Sequence, residues 1–166
     1  VYPLIRLFSC LIPKQEIPVT VVVAGTERPH TIIATEGEKP VSSACDTEHT
    51  TEHTHTVPLV ALAYARSGDK GNHANIGVVA RCARFVPWID AALSVTAVRA
   101  YFQHVLDPNQ GDVVRYPWPG LLGFNFVLKH ALAGGGVASV RLDAQGKAFA
   151  QQLLDFPIPV PSDWDQ

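Results

Sequence analysis

The chain has 166 residues, of which 47% are hydrophobic and 17% charged, and its formal net charge at pH 7 is −2. These values are typical of a folded main domain with an extension; they exclude general disorder and leave no basic surface for nucleic acid. The apolar runs are shorter than the roughly 20 residues of a membrane span. The three scattered cysteines, Cys10, Cys45 and Cys82, argue against a disulfide framework and favour a reducing, cytoplasmic setting.

The first predicted elements are β strands within residues 1–33. They are "YPLIRLFSCLI" and "IPVTVVVAG", and we expect strands at 4–12 and 17–24 to pair with each other and to pack on a partner chain or on the rest of the protein. Arg6 interrupts the first apolar run, so it does not resemble a secretory signal. Because the chain starts at Val1 and contains no methionine, we expect a piece of a longer protein.

A polar segment, residues 34–56, follows and holds almost no apolar side chains. This composition predicts a flexible linker, with residues 36–55 mobile. Its histidine tract, His49, His53 and His55, has side chains that suit zinc, copper or nickel. Threonines fill the gaps and no cysteine stands at ligand spacing, so we predict no specific metal site and no cofactor.

The compact unit is predicted over residues 57–161, followed by a tail at 162–166. Its elements in order are a strand in "VPLVALAYA", a strand in "NIGVVARCA", a helical turn from Pro87, a helix in "SVTAVRAYFQHVL", a strand in "DVVRYPW", a helix in "LLGFNFVLKHALA", a strand in "VASVRLD" and a helix in "AQGKAFAQQLLD". Alternating strands and helices predict an α+β fold, a two-layer sandwich of a roughly four-stranded sheet covered by helices.

Two motifs carry a family resemblance. They are "ARSGDKGN…NIGV" and "FNFVL…AL.GGG…S.RLD..GKA", and over residues 57–161 they resemble the C-terminal region of the acyclic terpene utilisation (AtuA-like) family. The resemblance implies a ferredoxin-like fold and makes residues 1–33 the tail of a larger N-terminal domain. It also implies a role in bacterial catabolism of branched isoprenoid acids as CoA thioesters, beside acyl-CoA carboxylases. It implies a pathway but no reaction, so the catalytic residues and enzymatic activity stay open.

The first of these motifs is the strongest candidate for a site. We predict that residues 66–75 form a loop that accepts an anion, because glycine-containing turns present successive N–H groups and two cations stand beside them. The alternative is a polar turn in which Asp69 pairs with a neighbouring cation. The candidate ligand-binding residues are Arg66, Ser67, Gly68, Asp69, Lys70, Gly71, Asn72 and Asn75.

The second motif adds a supporting set. Asn125 is a polar residue within a predicted apolar helix, and the glycines that follow it either let a ligand approach the backbone or simply end the helix. The supporting residues are Asn125, Gly134, Gly135 and Gly136.

Two functions follow from these candidates. In the first, the region helps bind an acyl-CoA or a small acid. In the second, it is an interaction or oligomerisation module, in a homo-oligomer or with an N-terminal AtuA domain or an acyl-CoA carboxylase. Neither involves nucleic acid or a membrane. Convergence of 66–75 and 134–136 on one pocket would favour the first, and an exposed apolar face the second.

Overall fold

The computed structural model describes residues 10–31 and 55–165, and these two stretches fall into two separate compact units. Most of the strand predicted at 4–12, nearly all of the linker predicted at 36–55, and two members of the histidine tract, His49 and His53, lie outside the described residues.

The smaller unit is a β hairpin. Strand β1 (Val19–Val23) pairs with β2 (Thr26–His30) in antiparallel register. Ala24 and Gly25 turn the chain, and both have positive φ (49° and 78°), as a two-residue type I′ turn requires. The strand predicted at 17–24 is therefore present, and its partner along the chain is β2.

The larger unit is built on a four-stranded antiparallel sheet. Its neighbours run in the order β4-β5-β7-β6, and a separate two-stranded sheet joins β3 to β8 near the two ends of the unit. The strands are β3 (His55–Pro58), β4 (Ala63–Lys70), β5 (His73–Ala80), β6 (Asp112–Trp118), β7 (Gly123–Lys129) and β8 (Pro157–Val160).

One short helix precedes the first hairpin of this sheet, and helices follow both hairpins. They are α1 (Leu59–Leu62), α2 (Val86–Ala92), α3 (Val95–Tyr101) and α4 (Phe149–Leu154). The hydroxyl of Ser94 caps α3 by accepting a hydrogen bond from the amide of Ala97 at 3.2 Å. The helices that follow the first hairpin and the helix that follows the second lie on the same face of the sheet, where they form one layer. Among the described residues, no helix is long and apolar enough to cross a membrane.

The core lies between this helical layer and one face of the sheet. On β5 every second residue is buried, and the same holds on β7 from Phe124 to Leu128. The alternation follows from the two-residue period of a strand, which sends successive side chains to opposite faces. Phe102, Phe149 and Leu153 from the helical regions are fully or almost fully buried in the same cluster. The predicted two-layer α+β sandwich is confirmed, and none of the described elements of this unit covers the other face of the sheet.

Two element predictions are wrong, and a third is correct only in part. The segment "LLGFNFVLKHALA" contains strand β7 and not a helix, because a short apolar run has no period that separates a buried strand from a buried helix. The segment "VASVRLD" forms turns and not a strand, with Val137, Val140 and Leu142 exposed at 73%, 99% and 110%. The segment "VPLVALAYA" is divided among β3, α1 and the start of β4.

Candidate ligand-binding groove on the open face of the sheet

The predicted loop at 66–75 is mostly strand. Strand β4 continues to Lys70 and β5 begins at His73, so that only Gly71 and Asn72 form the turn. Gly71 has φ of +66°, which suits the first central position of a type II′ hairpin turn. The proposed nest of successive loop amides is therefore replaced by a β ladder, and any ligand would meet side chains that project from the strands.

Those side chains line an open groove on the uncovered face of the sheet. Every second residue of β4 points to this face, and the register sets Arg66 opposite Gly77 and Gly68 opposite Asn75. The groove has a volume of about 580 Å³. Its lining residues are Tyr64, Ala65, Arg66, Ser67, Gly68, Lys70, Asn75, Gly77, Val79, Trp118 and Lys147.

The charge of the groove is positive. Arg66, Lys70 and Lys147 contribute cations, and no carboxylate is among the described residues that line it. The guanidinium of Arg66 forms no hydrogen bond or ion pair with any described residue. Nζ of Lys70 donates to the carbonyl oxygen of Asp69 at 2.9 Å, and Nζ of Lys147 lies 3.9 Å from Oδ1 of Asp69, at the edge of ion-pair distance. Asp69 thus pairs with Lys147, and not with Arg66 or Lys70 as the turn interpretation supposed.

Lys147 is held at the groove by the turn that precedes α4. The carboxylate of Asp143 accepts hydrogen bonds from the amides of Lys147 and Ala148, both at 2.8 Å. Ser67 completes this junction from β4, because its hydroxyl donates to the carbonyl oxygen of Lys147 at 3.1 Å and accepts from the amide of Ala150 at 2.9 Å. Ser67 therefore acts as a helix cap supplied by another element, and it positions Lys147 without a free hydroxyl for a ligand.

An amide pair forms the floor of the groove region. Nδ2 of Asn75 donates to Oδ1 of Asn125 at 3.0 Å, and both side chains project from central strands onto the open face. The predicted supporting residue Asn125 thus lies directly beside the first motif. Asn125 lies on a strand, although the sequence predicted a helix at this position.

The opposite end of the groove is apolar and aromatic. The indole of Trp118 reaches from β6 over Gly77, where a Cβ atom would lie 2.9 Å from its Cη2. Tyr64 and Val79 face each other beside it in the register of β4 and β5. The guanidinium of Arg81 lies 3.9 Å from the ring centroid of Tyr64, which holds that ring in place.

The glycine run supports the hairpin turn and does not line the groove. The amide of Gly134 donates to Oδ1 of Asn72 at 2.7 Å, and the amide of Leu132 donates to the carbonyl oxygen of Asn72 at 3.2 Å. A Cβ atom on Gly135 would overlap the carbonyl oxygen of Gly71. The segments 66–75 and 134–136 therefore converge on the turn and not on one pocket, and the groove takes its lining from the strands and from Lys147.

Two histidines stand at the turn end of the sheet. The amide of His130 donates to Nδ1 of His73 at 2.9 Å, and the two rings meet edge to face with centroids 4.8 Å apart. Burial, followed by the nearby His130 and Lys129, lowers the pKa of His73 from its ordinary value. The imidazole of His73 is thereby kept neutral, with Nδ1 as an acceptor.

Several groove residues escaped the sequence analysis. Lys147 stood in the quoted "GKA" motif, which was the one available signal for it. Gly77 likewise stood in the quoted "NIGV" motif, but Tyr64 and Trp118 had no local signal, because their approach to Gly77 depends on strand register. Within residues 10–31 and 55–165, no three His, Cys, Asp or Glu side chains are grouped to hold a metal ion.

The fold and the groove define a ferredoxin-like α+β domain with an open sheet face. The family model of the AtuA ferredoxin-like domain matches residues 57–159, and the chain belongs to this family. No curated protein and no solved structure matches the chain.

Proposed function

We propose that the domain binds an anionic ligand, a branched acyl-CoA or a related acid, during the catabolism of acyclic terpenes and isoprenoids in the cytoplasm. The observation that carries this proposal is the charge of the groove. A chain with a net charge of −2 places Arg66, Lys70 and Lys147 around one cavity with no lining carboxylate. Asp69 lies 3.9 Å from Lys147 and offsets that one charge, so the remaining excess of cations favours phosphate or carboxylate groups, with which charged hydrogen bonds are strong.

The shape of the groove supports an elongated ligand with two unlike ends. Tyr64 and Lys70 are six residues apart on β4, so the aromatic and cationic ends are separated by about 20 Å of strand. Trp118 and Val79 stand at the first end, and Lys147 stands towards the second. An acyl-CoA combines apolar and planar groups with phosphates along a chain of comparable length.

We assign the groove a binding role. Ser67, the one hydroxyl nucleophile that the first motif offered, is engaged by the backbone of Lys147 and Ala150. His73 lies beyond the lining residues, and its Nδ1 is occupied by the amide of His130. The described lining residues thus supply cations, amides and aromatic surface, which bind and orient a ligand.

Calorimetric titration of isovaleryl-CoA into the 166-residue chain tests this proposal. Lys70→Ala and Lys147→Ala should each raise the dissociation constant about tenfold or more, because a hydrogen bond to a charged group contributes roughly 1.5–3 kcal/mol. Lys129→Ala is the matched control, since Lys129 projects from the same face but pairs with Asp112 at 3.5 Å and does not line the groove. Absence of binding to the wild-type chain, or equal losses in all three variants, would refute the proposal.

A second function is favoured by a different observation. Val137, Val140 and Leu142 are among the most exposed large hydrophobic residues of the described chain and lie in one short segment. Exposed apolar clusters mark contact surfaces, so an interaction or oligomerisation module is the alternative, with a second copy, an N-terminal AtuA domain or an acyl-CoA carboxylase as partner. Light scattering of the wild-type chain and of a Val140→Asp, Leu142→Asp variant tests it. A dimer that becomes monomeric supports this function, and a wild-type monomer refutes self-association.

A further inference from the structure

We infer that the groove holds the nucleotide end of its ligand, with the base stacked on Trp118 and the phosphates on the cations of β4 and Lys147. This inference rests on the proposed binding of an acyl-CoA and states which part of that molecule the domain recognises. It assigns Trp118 a specificity-determining role.

The position of Trp118 provides the first argument. Its indole lies over Gly77 so closely that a Cβ atom there would come within 2.9 Å of Cη2 and 3.0 Å of Cζ3. The register partner of Trp118 on β7 is Gly123, which also carries no side chain on this face. Because both residues are glycines, no side chain prevents the large ring from packing on the open face of the sheet.

The second argument concerns the contacts of the indole. Trp118 is half-buried, and it makes no ring contact, cation contact or hydrogen bond with any described residue. Trp88, in contrast, packs against Phe85 with centroids 5.6 Å apart. An aromatic face left free in a groove is a platform on which a planar base can stack.

The third argument concerns the polar groups beside the platform. Asn75 uses Nδ2 to reach Asn125, which leaves Oδ1 of Asn75 and Nδ2 of Asn125 without a partner among the described residues. These atoms are one acceptor and one donor, the set with which amide side chains recognise the edge of adenine. An isoprenoid chain has no hydrogen-bonding groups that would use them.

The cations stand in the order that a nucleotide requires. Arg66 is the register partner of Gly77, so its guanidinium starts beside the residue on which the indole rests. Lys70 lies four residues further along β4, about 13 Å away, and Nζ of Lys147 lies 3.3 Å from the Cβ position of Gly68 between them. A base on Trp118 would therefore extend its phosphates towards Arg66, Lys147 and Lys70.

The test compares fragments of coenzyme A by calorimetric titration into the 166-residue chain. The probes are adenosine 3′,5′-bisphosphate, pantetheine and isovaleryl-CoA. We expect the bisphosphate to bind and pantetheine not to bind. Trp118→Leu should weaken the bisphosphate about tenfold or more, as the loss of one base-stacking contact does. Tyr116→Leu is the matched control, because Tyr116 is an exposed aromatic residue on the same strand and face outside the groove.

A second variant keeps the test decisive if Trp118→Leu impairs folding. Gly77→Ala keeps the indole but displaces it from its position over residue 77. This variant should bind the bisphosphate more weakly, while its circular dichroism spectrum stays that of the wild type. If isovaleryl-CoA binds but the bisphosphate does not, or if Trp118→Leu leaves bisphosphate affinity unchanged, the inference is refuted and the proposed function stands. If neither isovaleryl-CoA nor the bisphosphate binds, both are refuted.

Discussion

Gly135 is one of the positions at which the two sequence motifs touch, and replacing it tests whether their convergence stabilises the fold. A Cβ atom at Gly135 would overlap the carbonyl oxygen of Gly71 and lie 3.1 Å from the amide nitrogen of Asn72. Both neighbours are backbone atoms, so no side-chain rotation can relieve the contact. We expect Gly135→Ala to push the segment 134–136 away from the hairpin turn.

The expected loss has two parts. An alanine at φ of +71° costs about 1 kcal/mol as a left-handed residue. Separation from the turn also breaks the hydrogen bonds that Asn72 accepts from Gly134 at 2.7 Å and from Leu132 at 3.2 Å, at roughly 1 kcal/mol each. The free energy of unfolding should therefore fall by about 3 kcal/mol.

The neighbouring glycine is a matched control. Gly136 also has positive φ, +41°, but a Cβ atom there would meet nothing within 4 Å. Gly136→Ala should therefore cost only the left-handed strain, about 1 kcal/mol. With a urea dependence of about 2 kcal/mol per molar, the unfolding midpoint should drop by about 1.5 M for Gly135→Ala and about 0.5 M for Gly136→Ala. Equal shifts in the two variants would refute the contact between the motifs.

Ser67→Ala should lower the free energy of unfolding by about 1 kcal/mol, and Ser94→Ala should have the same effect at its own helix, because each removes a hydroxyl that caps a helix; a value at wild-type level in urea unfolding would show that the cap from β4 is unimportant. The lowered pKa of His73 predicts that the fold loses stability as pH falls below about 6.5, where the unfolded chain takes up a proton before the folded one does. His73→Asn, which keeps an acceptor for the amide of His130, should lose less stability between pH 7 and pH 5, and parallel pH curves for the two proteins would contradict this assignment.

Local sequence patterns predicted some secondary-structure elements correctly and others incorrectly. The strand predicted in "NIGVVARCA" and the helix predicted in "SVTAVRAYFQHVL" are present as β5 and α3, although α3 ends at Tyr101, because strand and helix periods are visible in adjacent residues. Strand β7 was mistaken for a helix and 137–143 for a strand. The apolar content of β7 was compatible with either state, and burial decided for the strand, whereas Val137, Val140 and Leu142 stay exposed and their segment forms turns.

The sequence by itself determined the chemistry of the candidate site: a dense group of cations, amides and glycines in the first motif, and the family to which the motifs belong. Only the tertiary structure decided how those groups are used. Strand register turned the supposed loop into a hairpin, laid Trp118 over Gly77 and brought Asn125 to Asn75. Packing of α4 against β4 placed Lys147 at the same groove, although Lys147 lies 80 residues from Ser67 in the sequence. Residues so distant in the chain leave no local pattern, because their proximity depends on which strands pair and in what register.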